Sequence, residues 1–277
     1  MPGECSIKNP EIYRISPEKF LHFIYLHQKY TASTFYLPEK KMFYNLTVRL
    51  LEEGQAPPED WLEEIEEPFG KLRKIAILAG RKFTLVPEPY FEAGTEKNIL
   101  SLNFNMNDNE IVKKDFLPPL QAFILYSVPP VMVSFLEHFQ PEATIHAIHP
   151  FFLSSVSNIR QAAARSMILH VETEFIYILV FNQKHELLLA NSFPYKAAED
   201  ILYHVLNVCS RLEINLSTDN FLISGDYYPD TEFYKLIFRY IKYPLTHRLP
   251  EAIKFHEVFE KFPFHSFFNL FSTALCV

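Results

Sequence analysis

The stretch SMILHVETEFIYILVFNQKHELLLANSF, residues 166–193, decides the fold class. It contains three apolar runs, Ser166–Val171, Phe175–Phe181 and Glu186–Phe193, which are separated by short polar turns. Runs of this length that are rich in β-branched and aromatic residues are typical of strands, and short connections make consecutive strands antiparallel neighbours. The stretch therefore predicts a three-stranded antiparallel meander.

The residues after the meander predict helical crossovers. Lys196–Leu212 is apolar on most of its circumference, which predicts a buried helix. Phe221–Ser224 predicts a short buried strand closed by the turn Gly225-Asp226, and Asp230–Ile241 predicts a second helix. A strand that follows a helical crossover joins its sheet in the parallel sense, so the predicted sheet is mixed.

The first half of the chain repeats this order. Phe20–Leu26 and Thr31–Leu37 predict two strands, and Met42–Leu51 predicts either a third strand or the start of a helix. Further predicted elements are helices at Pro57–Glu67, Val131–Phe139 and His149–Ala164, and strands at Lys74–Ala79, Lys82–Pro87, Gln121–Val128 and Ala143–Ile148. Two β-β-β-α-β-α units are the organisation of paired ribonuclease-H-like lobes. We expect an α/β protein with lobes at residues 1–164 and 165–277.

Five short motifs carry a resemblance to a known family. They are KFTLVP at 82–87, LLANSF at 188–193, AEDILY at 198–203, ISGD at 223–226 and YKLIFRYI at 234–241. In this order they resemble an uncharacterised bacterial family of unknown function with an actin-like ATPase fold. The resemblance covers most of the chain and is best in the C-terminal half. It implies two tandem ribonuclease-H-like lobes in an actin-like ATPase arrangement, and it implies no activity.

Composition excludes several classes of nucleotide-binding protein. The 277 residues include 6 glycines, whereas an average chain of this length has about 19. Dinucleotide fingerprints and P-loops need several glycines close together, so that backbone N–H groups can approach a phosphate. Rossmann dehydrogenases, P-loop NTPases and kinases with a glycine-rich loop are therefore excluded. The net charge of −7 argues against a general nucleic-acid binder.

The sequence also predicts a cytoplasmic location. Its 3 cysteines are sparse and form no CxxC pair, which suits a reducing compartment. The early charges at the N-terminus indicate no export signal. Phe116–Leu136 is uncharged and long enough to span a bilayer, but its four prolines would break a helix twice. We therefore expect a strand there and no membrane insertion.

The candidate ligand site follows from the two predicted hairpin turns. Active actin-like ATPases hold phosphates on one hairpin of each lobe, with an Asp for the metal and glycines for close approach. Here the turn His27–Tyr30 has neither residue, and the turn Val171–Phe175 has no glycine. Glu172 could replace the metal-binding carboxylate, followed by Thr173, and the adenosine turn is reduced to Gly225-Asp226. These four residues are the candidate cofactor-binding residues, and we predict that the phosphate hairpins are degenerate.

Three functions are compatible with these residues. The favoured prediction is a non-catalytic cytoplasmic binding or assembly module with a protein partner and no cofactor. The alternative is a nucleotide-binding protein or phosphotransferase that uses ATP and magnesium at an atypical phosphate site. A metal-dependent nuclease using Glu172 and Asp226 is the third. The competing structural interpretation is that Glu172 and Glu174 are simply solvated residues of a turn.

Other motifs have structural interpretations that compete with functional ones. His146 and His149 have a zinc-like spacing, but on a strand they point to opposite faces. Cys209 is expected to be an inert core thiol. The basic cluster is either a solvated edge or a partner site; it comprises Lys71, Arg73, Lys74, Arg81 and Lys82. The phenylalanine-rich tail after residue 255 is expected to pack against the core, the other option being an exposed docking surface.

Overall fold

The computed structural model describes residues 5–52, 54–58, 60, 61, 65, 69, 72–139, 141–159, 164–241, 244–260 and 262–277. The helix predicted at Pro57–Glu67 lies largely outside the described residues. The chain divides into two compact units. The first comprises the described parts of Pro2–Pro150, Glu251–Phe262 and Leu270–Val277, and the second those of Phe151–Pro250 and Pro263–Asn269. The lobe boundary at residues 164/165 stays a prediction.

The strands and helices carry the following labels in chain order. The strands are β1 Cys5–Ile7, β2 Leu21–Leu26, β3 Tyr30–Leu37, β4 Met42–Phe43, β5 Leu46–Leu50, β6 Arg73–Leu78, β7 Phe83–Pro87, β8 Ile111–Leu117, β9 Ala122–Val128, β10 Ala143–His146, β11 Ser166–Glu172, β12 Phe175–Phe181, β13 Leu187–Pro194, β14 Asn220–Gly225, β15 Leu245–Thr246 and β16 Lys254–Phe255. The described helices are α1 Glu96–Ser101, α2 Pro130–Phe139, α3 Ile148–Ile159, α4 Ala198–Leu212, α5 Glu232–Tyr240 and α6 Phe268–Ser272.

The main sheet of the first unit has the strand order β1-β5-β3-β2-β6-β10, with β4 and β16 off this path. The β2–β3 and β3–β5 pairs are antiparallel, whereas β2–β6 and β6–β10 are parallel. The region predicted as a third strand or a helix forms strands β4 and β5. Every residue of β2 and β3 is buried, including the polar His22, Thr31, Ser33 and Thr34, as befits strands in the middle of the sheet. The order β5-β3-β2-β6-β10 is that of a ribonuclease-H-like sheet.

A second sheet of the first unit, β7-β9-β8, is inserted between β6 and α2. Its pairs are antiparallel, and a turn at Pro118–Leu120 joins β8 to β9. The proline-rich region Phe116–Leu136, for which we predicted a strand and no membrane-spanning helix, contains strand β9, as expected. Among the described residues, every helix is too short or too polar to span a bilayer.

The second unit has the strand order β13-β12-β11-β14-β15. β11, β12 and β13 form the predicted antiparallel meander, and β14 and β15 add in parallel. This is again the ribonuclease-H-like order, and the actin-like ATPase fold class is confirmed. The prediction that α4 is buried all round was wrong, since Tyr203 is 65% and Leu206 38% exposed. A helix on one face of a sheet buries one stripe, here the side of Ile201 and Val205.

The two remaining core predictions are confirmed. Phe259, Phe268 and Phe271 of the tail are buried, so the tail packs against the core. Cys209 is also buried, and burial, with the charge of Asp219, raises its pKa to about 11. Its place in the core is thus confirmed, and its inertness, which a raised pKa favours, stays a prediction.

Candidate functional site

The carboxyl ends of β11, β14 and β15 lie at the same edge of the second unit's sheet, because these strands are parallel. Ligands of open α/β sheets bind outside the carboxyl ends of the strands. β11 ends at Glu172 and β14 at Gly225, and the Asp226 N–H donates to the Val171 carbonyl at 2.7 Å. The structure thus brings the candidates Glu172, Thr173, Gly225 and Asp226 to one edge. That they bind a ligand stays a prediction.

Gly225 is needed at this edge for two separate reasons. Its φ is +95°, a conformation that side chains with a Cβ disfavour. A Cβ built on Gly225 would lie 2.1 Å from the carbonyl oxygen and 2.6 Å from the nitrogen of Val171. Gly225 therefore allows the backbones of β11 and β14 to approach closely, as a tight turn at the end of β14 requires.

The carboxylate of Glu172 is satisfied by the protein itself. Its side chain is buried, and one carboxylate oxygen accepts hydrogen bonds from His170 Nε2 at 2.9 Å and from Asn269 Nδ2 at 3.2 Å. The interpretation of Glu172 as a solvated turn residue is wrong, because the tail covers it, whereas Glu174 is exposed as expected. Two donors thus compensate the burial of this carboxylate.

A chain of buried polar groups continues from Glu172 into the core. His170 Nδ1 lies 2.9 Å from Ser224 Oγ, which lies 3.5 Å from His247 Nδ1. Burial, reinforced by the neighbouring His170, lowers the pKa of His247 to about 3, so this imidazole is neutral at pH 7. The Ser–His–Glu order resembles that of a hydrolase triad, but Ser224 is 0% exposed. No substrate carbonyl reaches a hydroxyl buried this deeply.

The C-terminal segment Pro263–Asn269 covers the carboxyl edge. His265 Nδ1 donates to the Gly225 carbonyl at 2.9 Å, and Ser266 Oγ lies 2.7 Å from the Tyr228 hydroxyl. The ring of Phe268 lies 4.2 Å from the imidazole of His247 between centroids, tilted by 35°. Together with the Asn269 bond to Glu172, these contacts place side chains of the C-terminal segment over the candidate residues at this edge.

The hairpin turn between β11 and β12 is held by Tyr195. Its hydroxyl donates to the Glu172 carbonyl at 2.7 Å, and its N–H donates to the Glu174 carbonyl at 3.0 Å. Burial, followed by the negative charges of Asp226, Glu172 and Glu174, raises the pKa of Tyr195 to about 12. Thr173 Oγ1 is buried with no hydrogen-bond partner among the described residues. Tyr195 thus bonds both carbonyls of the turn and lies near the negative charges of these three carboxylates.

The corresponding turn of the first unit, between β2 and β3, uses its own backbone donors. The His27 N–H donates to the Tyr30 carbonyl at 3.0 Å, and the Lys29 N–H donates to His27 Nδ1 at 3.1 Å. The imidazole of His27 also stacks on the ring of Tyr30 at 4.8 Å. The N–H groups of His27 and Lys29 are therefore both bonded within the turn.

Metal-binding candidates do not assemble in the described part of the chain, where no group of three His, Cys, Asp or Glu side chains could hold a metal ion. His146 Nε2 lies 3.0 Å from the Gly80 carbonyl, and its Nδ1 accepts from the Ile148 N–H. Burial lowers the pKa of His149 to about 4. The basic cluster is also used internally where it is described, since Lys82 and Arg73 form ion pairs with Glu110 and Glu142.

Sequence reasoning missed His170, Ser224, His265 and Asn269. Polar residues within apolar strands, such as His170 and Ser224, are the only signal that could have indicated a buried network. No local signal points to Asn269, which bonds a residue 97 positions earlier.

A model of the family described as "Protein of unknown function (DUF3822)" matches residues 64–243, and the chain therefore belongs to this family. The search of curated proteins gives no match.

Two solved structures share the fold over nearly the whole chain. The first is a Bacteroides thetaiotaomicron protein with an actin-like ATPase fold and unknown function, at 19% identity and a TM-score of 0.76; the match covers 94% of this chain and 97% of that one. The second comes from the PilM-PilN type IV pilus biogenesis complex, at 10% identity and a TM-score of 0.56, with 95% and 98% covered. At these identities the likeness establishes the fold alone.

Proposed function

We propose that this member of the DUF3822 family is a non-catalytic cytoplasmic binding or assembly module that works through a protein partner and without a cofactor. The single observation that carries the proposal is the hydrogen bond from Asn269 to Glu172. Through this hydrogen bond the tail of the chain covers the candidate phosphate site and engages the carboxylate of Glu172.

The proposal follows from how phosphates are bound. A phosphate needs unpaired backbone N–H groups, and a carboxylate nearby repels it unless a metal lies between them. In the first unit the N–H groups of His27 and Lys29 are already bonded. In the second unit the carboxylate of Glu172 is hydrogen-bonded to His170 and Asn269. Neither turn offers what the chemistry of phosphoryl transfer requires.

A role in assembly agrees with the use of this fold elsewhere. A protein of the PilM-PilN type IV pilus biogenesis complex has the same fold. The cytoplasmic location is supported by the three cysteines, Cys5, Cys209 and Cys276, all of which are free thiols.

A second candidate function is a nucleotide-binding protein or phosphotransferase with an atypical site. It is favoured by the convergence of Glu172, Glu174 and Asp226 near Tyr195 and by the unpartnered Thr173 hydroxyl. In that case magnesium would have to neutralise the carboxylates, and the tail would have to leave before ATP could bind.

A thermal-shift titration separates the two functions. The full chain is heated with millimolar ATP, ADP or GTP, each with and without magnesium, and we expect no change in Tm. A ligand at 100 times its Kd would add about 2.7 kcal/mol, or roughly 5–10 °C. A magnesium-dependent rise of this size that Asp226→Ala abolishes, and that the control Asp230→Ala in the exposed loop leaves unchanged, would overturn the proposal in favour of the alternative.

A further inference from the structure

A cavity of about 240 Å³ lies in the first unit between the inserted sheet, α2 and β10. One face of the inserted sheet forms its floor. Ile111 and Lys113 are two residues apart on β8 and therefore share this face, and Val128 of β9 pairs directly with Ile111. The opposite wall is one side of α2, where a spacing of three and four residues brings side chains together. This wall comprises Val133, Leu136 and Glu137.

Hydrogen bonds hold the floor of this cavity against β10. The carboxylate of Asp115, on the same face of β8, accepts from the His146 N–H of β10 at 2.7 Å. The hydroxyl of Tyr126 on β9 donates to the Thr144 carbonyl of β10 at 3.1 Å. The cavity is therefore formed by the fold itself, and a ligand that enters a preformed site pays less of the entropic cost of ordering it.

The lining combines a closed apolar end with two opposite charges. Val128 and Leu136 are buried, whereas Ile111 is 45% exposed, Lys113 is half-buried and Glu137 is exposed. The apolar groups thus form the closed end, and the charged groups lie towards the mouth. Among the described residues neither Lys113 nor Glu137 forms an ion pair, so both charges are available to a ligand.

The size and charge of the cavity restrict its ligand to a narrow class. A dry apolar cavity of about 150 Å³ holds benzene, so by proportion a volume of 240 Å³ holds about ten non-hydrogen atoms. Glu137 would repel a simple aliphatic carboxylate, and Lys113 would repel a simple aliphatic amine. A ligand that carries both charges at one end and a short apolar group at the other gives every group of the lining a partner.

We propose that this cavity binds a small aliphatic amino acid as its zwitterion. The side chain of the ligand packs on Val128 and Leu136, its carboxylate pairs with the ammonium group of Lys113, and its own ammonium group pairs with Glu137. The inference goes beyond the proposed protein-binding role and uses a different site from the closed phosphate edge. The nucleotide titration and the amino-acid test can therefore fail independently of each other.

Equilibrium dialysis of the full chain against radiolabelled leucine tests the proposal. A ligand of about ten atoms that binds with moderate affinity per atom has a Kd of roughly 0.1–1 mM, so the chain is dialysed at a comparable concentration. Unlabelled valine, isoleucine and methionine should compete, whereas phenylalanine and tryptophan, which exceed the cavity, should compete about tenfold less well. Isocaproate lacks the ammonium group of leucine and leucinamide lacks its carboxylate. Each of these two analogues should also compete about tenfold less well than leucine.

Two variants assign each charge of the ligand to its partner. Lys113→Met and Glu137→Gln should each weaken leucine binding about tenfold. Lys113→Met should also remove the preference for leucine over leucinamide, and Glu137→Gln the preference for leucine over isocaproate. A change that merely disturbed the fold would weaken all ligands alike and leave these preferences intact. The matched controls are Lys114→Met, on the opposite face of β8, and Glu88→Gln, at an exposed position; both should bind leucine within about twofold of wild type.

Three results would overturn the proposal. The first is that the chain retains no leucine in the dialysis. The second is that isocaproate or leucinamide competes as well as leucine, because the two charges of the cavity would then not recognise a zwitterion. The third is that Lys113→Met and Glu137→Gln bind leucine as tightly as wild type, since the leucine would then lie elsewhere on the chain.

Discussion

Replacing Gly225 by alanine tests whether the carboxyl edge depends on close contact between two strands. The added methyl group would lie 2.1 Å from the Val171 carbonyl oxygen and 2.8 Å from its carbon. These are backbone atoms of β11, so rotation of a side chain cannot relieve the overlap. β11 and β14 must separate by about 1 Å to restore ordinary contact, which strains the 2.7 Å hydrogen bond from Asp226 to Val171.

The expected loss of stability is the sum of three terms. Forcing a residue with a Cβ into a positive φ costs about 1–2 kcal/mol, and the lost hydrogen bond costs about 1 kcal/mol. Overpacking a rigid site adds about 1–3 kcal/mol. We expect Gly225→Ala to lower the unfolding free energy of the second unit by about 4 kcal/mol. Gly94→Ala is the matched control, because Gly94 has φ +91° and an added Cβ would meet no atom within 4 Å, so only the first term applies.

Hydrogen exchange measured by mass spectrometry is the suitable assay, because it reports opening of each unit separately. Amides of Ser166–Glu172 and Asn220–Gly225 should lose about 4 kcal/mol of protection in Gly225→Ala. For Gly94→Ala the loss should be about 1–2 kcal/mol and confined to the first unit. Equal losses in the two variants, within about 0.5 kcal/mol, would refute the claim that the strands meet too closely for a Cβ.

Three further predictions concern buried titratable groups. Burial raises the pKa of Asp115 to about 6; in urea titrations wild type should therefore gain about 2 kcal/mol over Asp115→Asn as pH falls from 7 to 4, and a flat difference would contradict this. The lowered pKa of His247, about 3, makes stability depend on pH in the opposite direction. Wild type should lose about 1.4 kcal/mol of unfolding free energy per pH unit as pH falls below 6.5, and His247→Phe should not show this loss. Lys82→Met leaves buried Glu110 without its 2.6 Å partner and should cost about 1–3 kcal/mol by chemical denaturation, against under 1 kcal/mol for the control Lys114→Met.

The fold was largely predictable because its strands are unusually apolar. β2, β3, β11 and β12 are buried along their whole length, and a continuous apolar run between turns indicates such a strand without an alignment. β8 was not predicted, because Lys113, Lys114 and Asp115 interrupt its apolar pattern. β15 was missed because it has two residues and pairs only with β14. Outer strands follow tertiary contacts more than local propensity.

The sequence predicted only those residues of the candidate site that lie at the ends of predicted strands. The turn after β11 and the glycine after β14 lie at strand ends, and the parallel sheet brings strand ends together, so Glu172 and Gly225 could be expected at one edge. Their environment could not be expected. It depends on Asn269 and His265, which come from a segment 97 and 40 residues away in sequence, and no local pattern specifies such a contact.

The buried state of Glu172 links closure of the site to stability of the fold. An ionised carboxylate is tolerated inside a protein only when donors replace its water, and here those donors are His170 and Asn269. Any change that frees the Glu172 carboxylate for a metal also removes the hydrogen bonds that compensate for its burial. The same change loosens the segment Pro263–Asn269. Gain of nucleotide binding should therefore come with loss of stability.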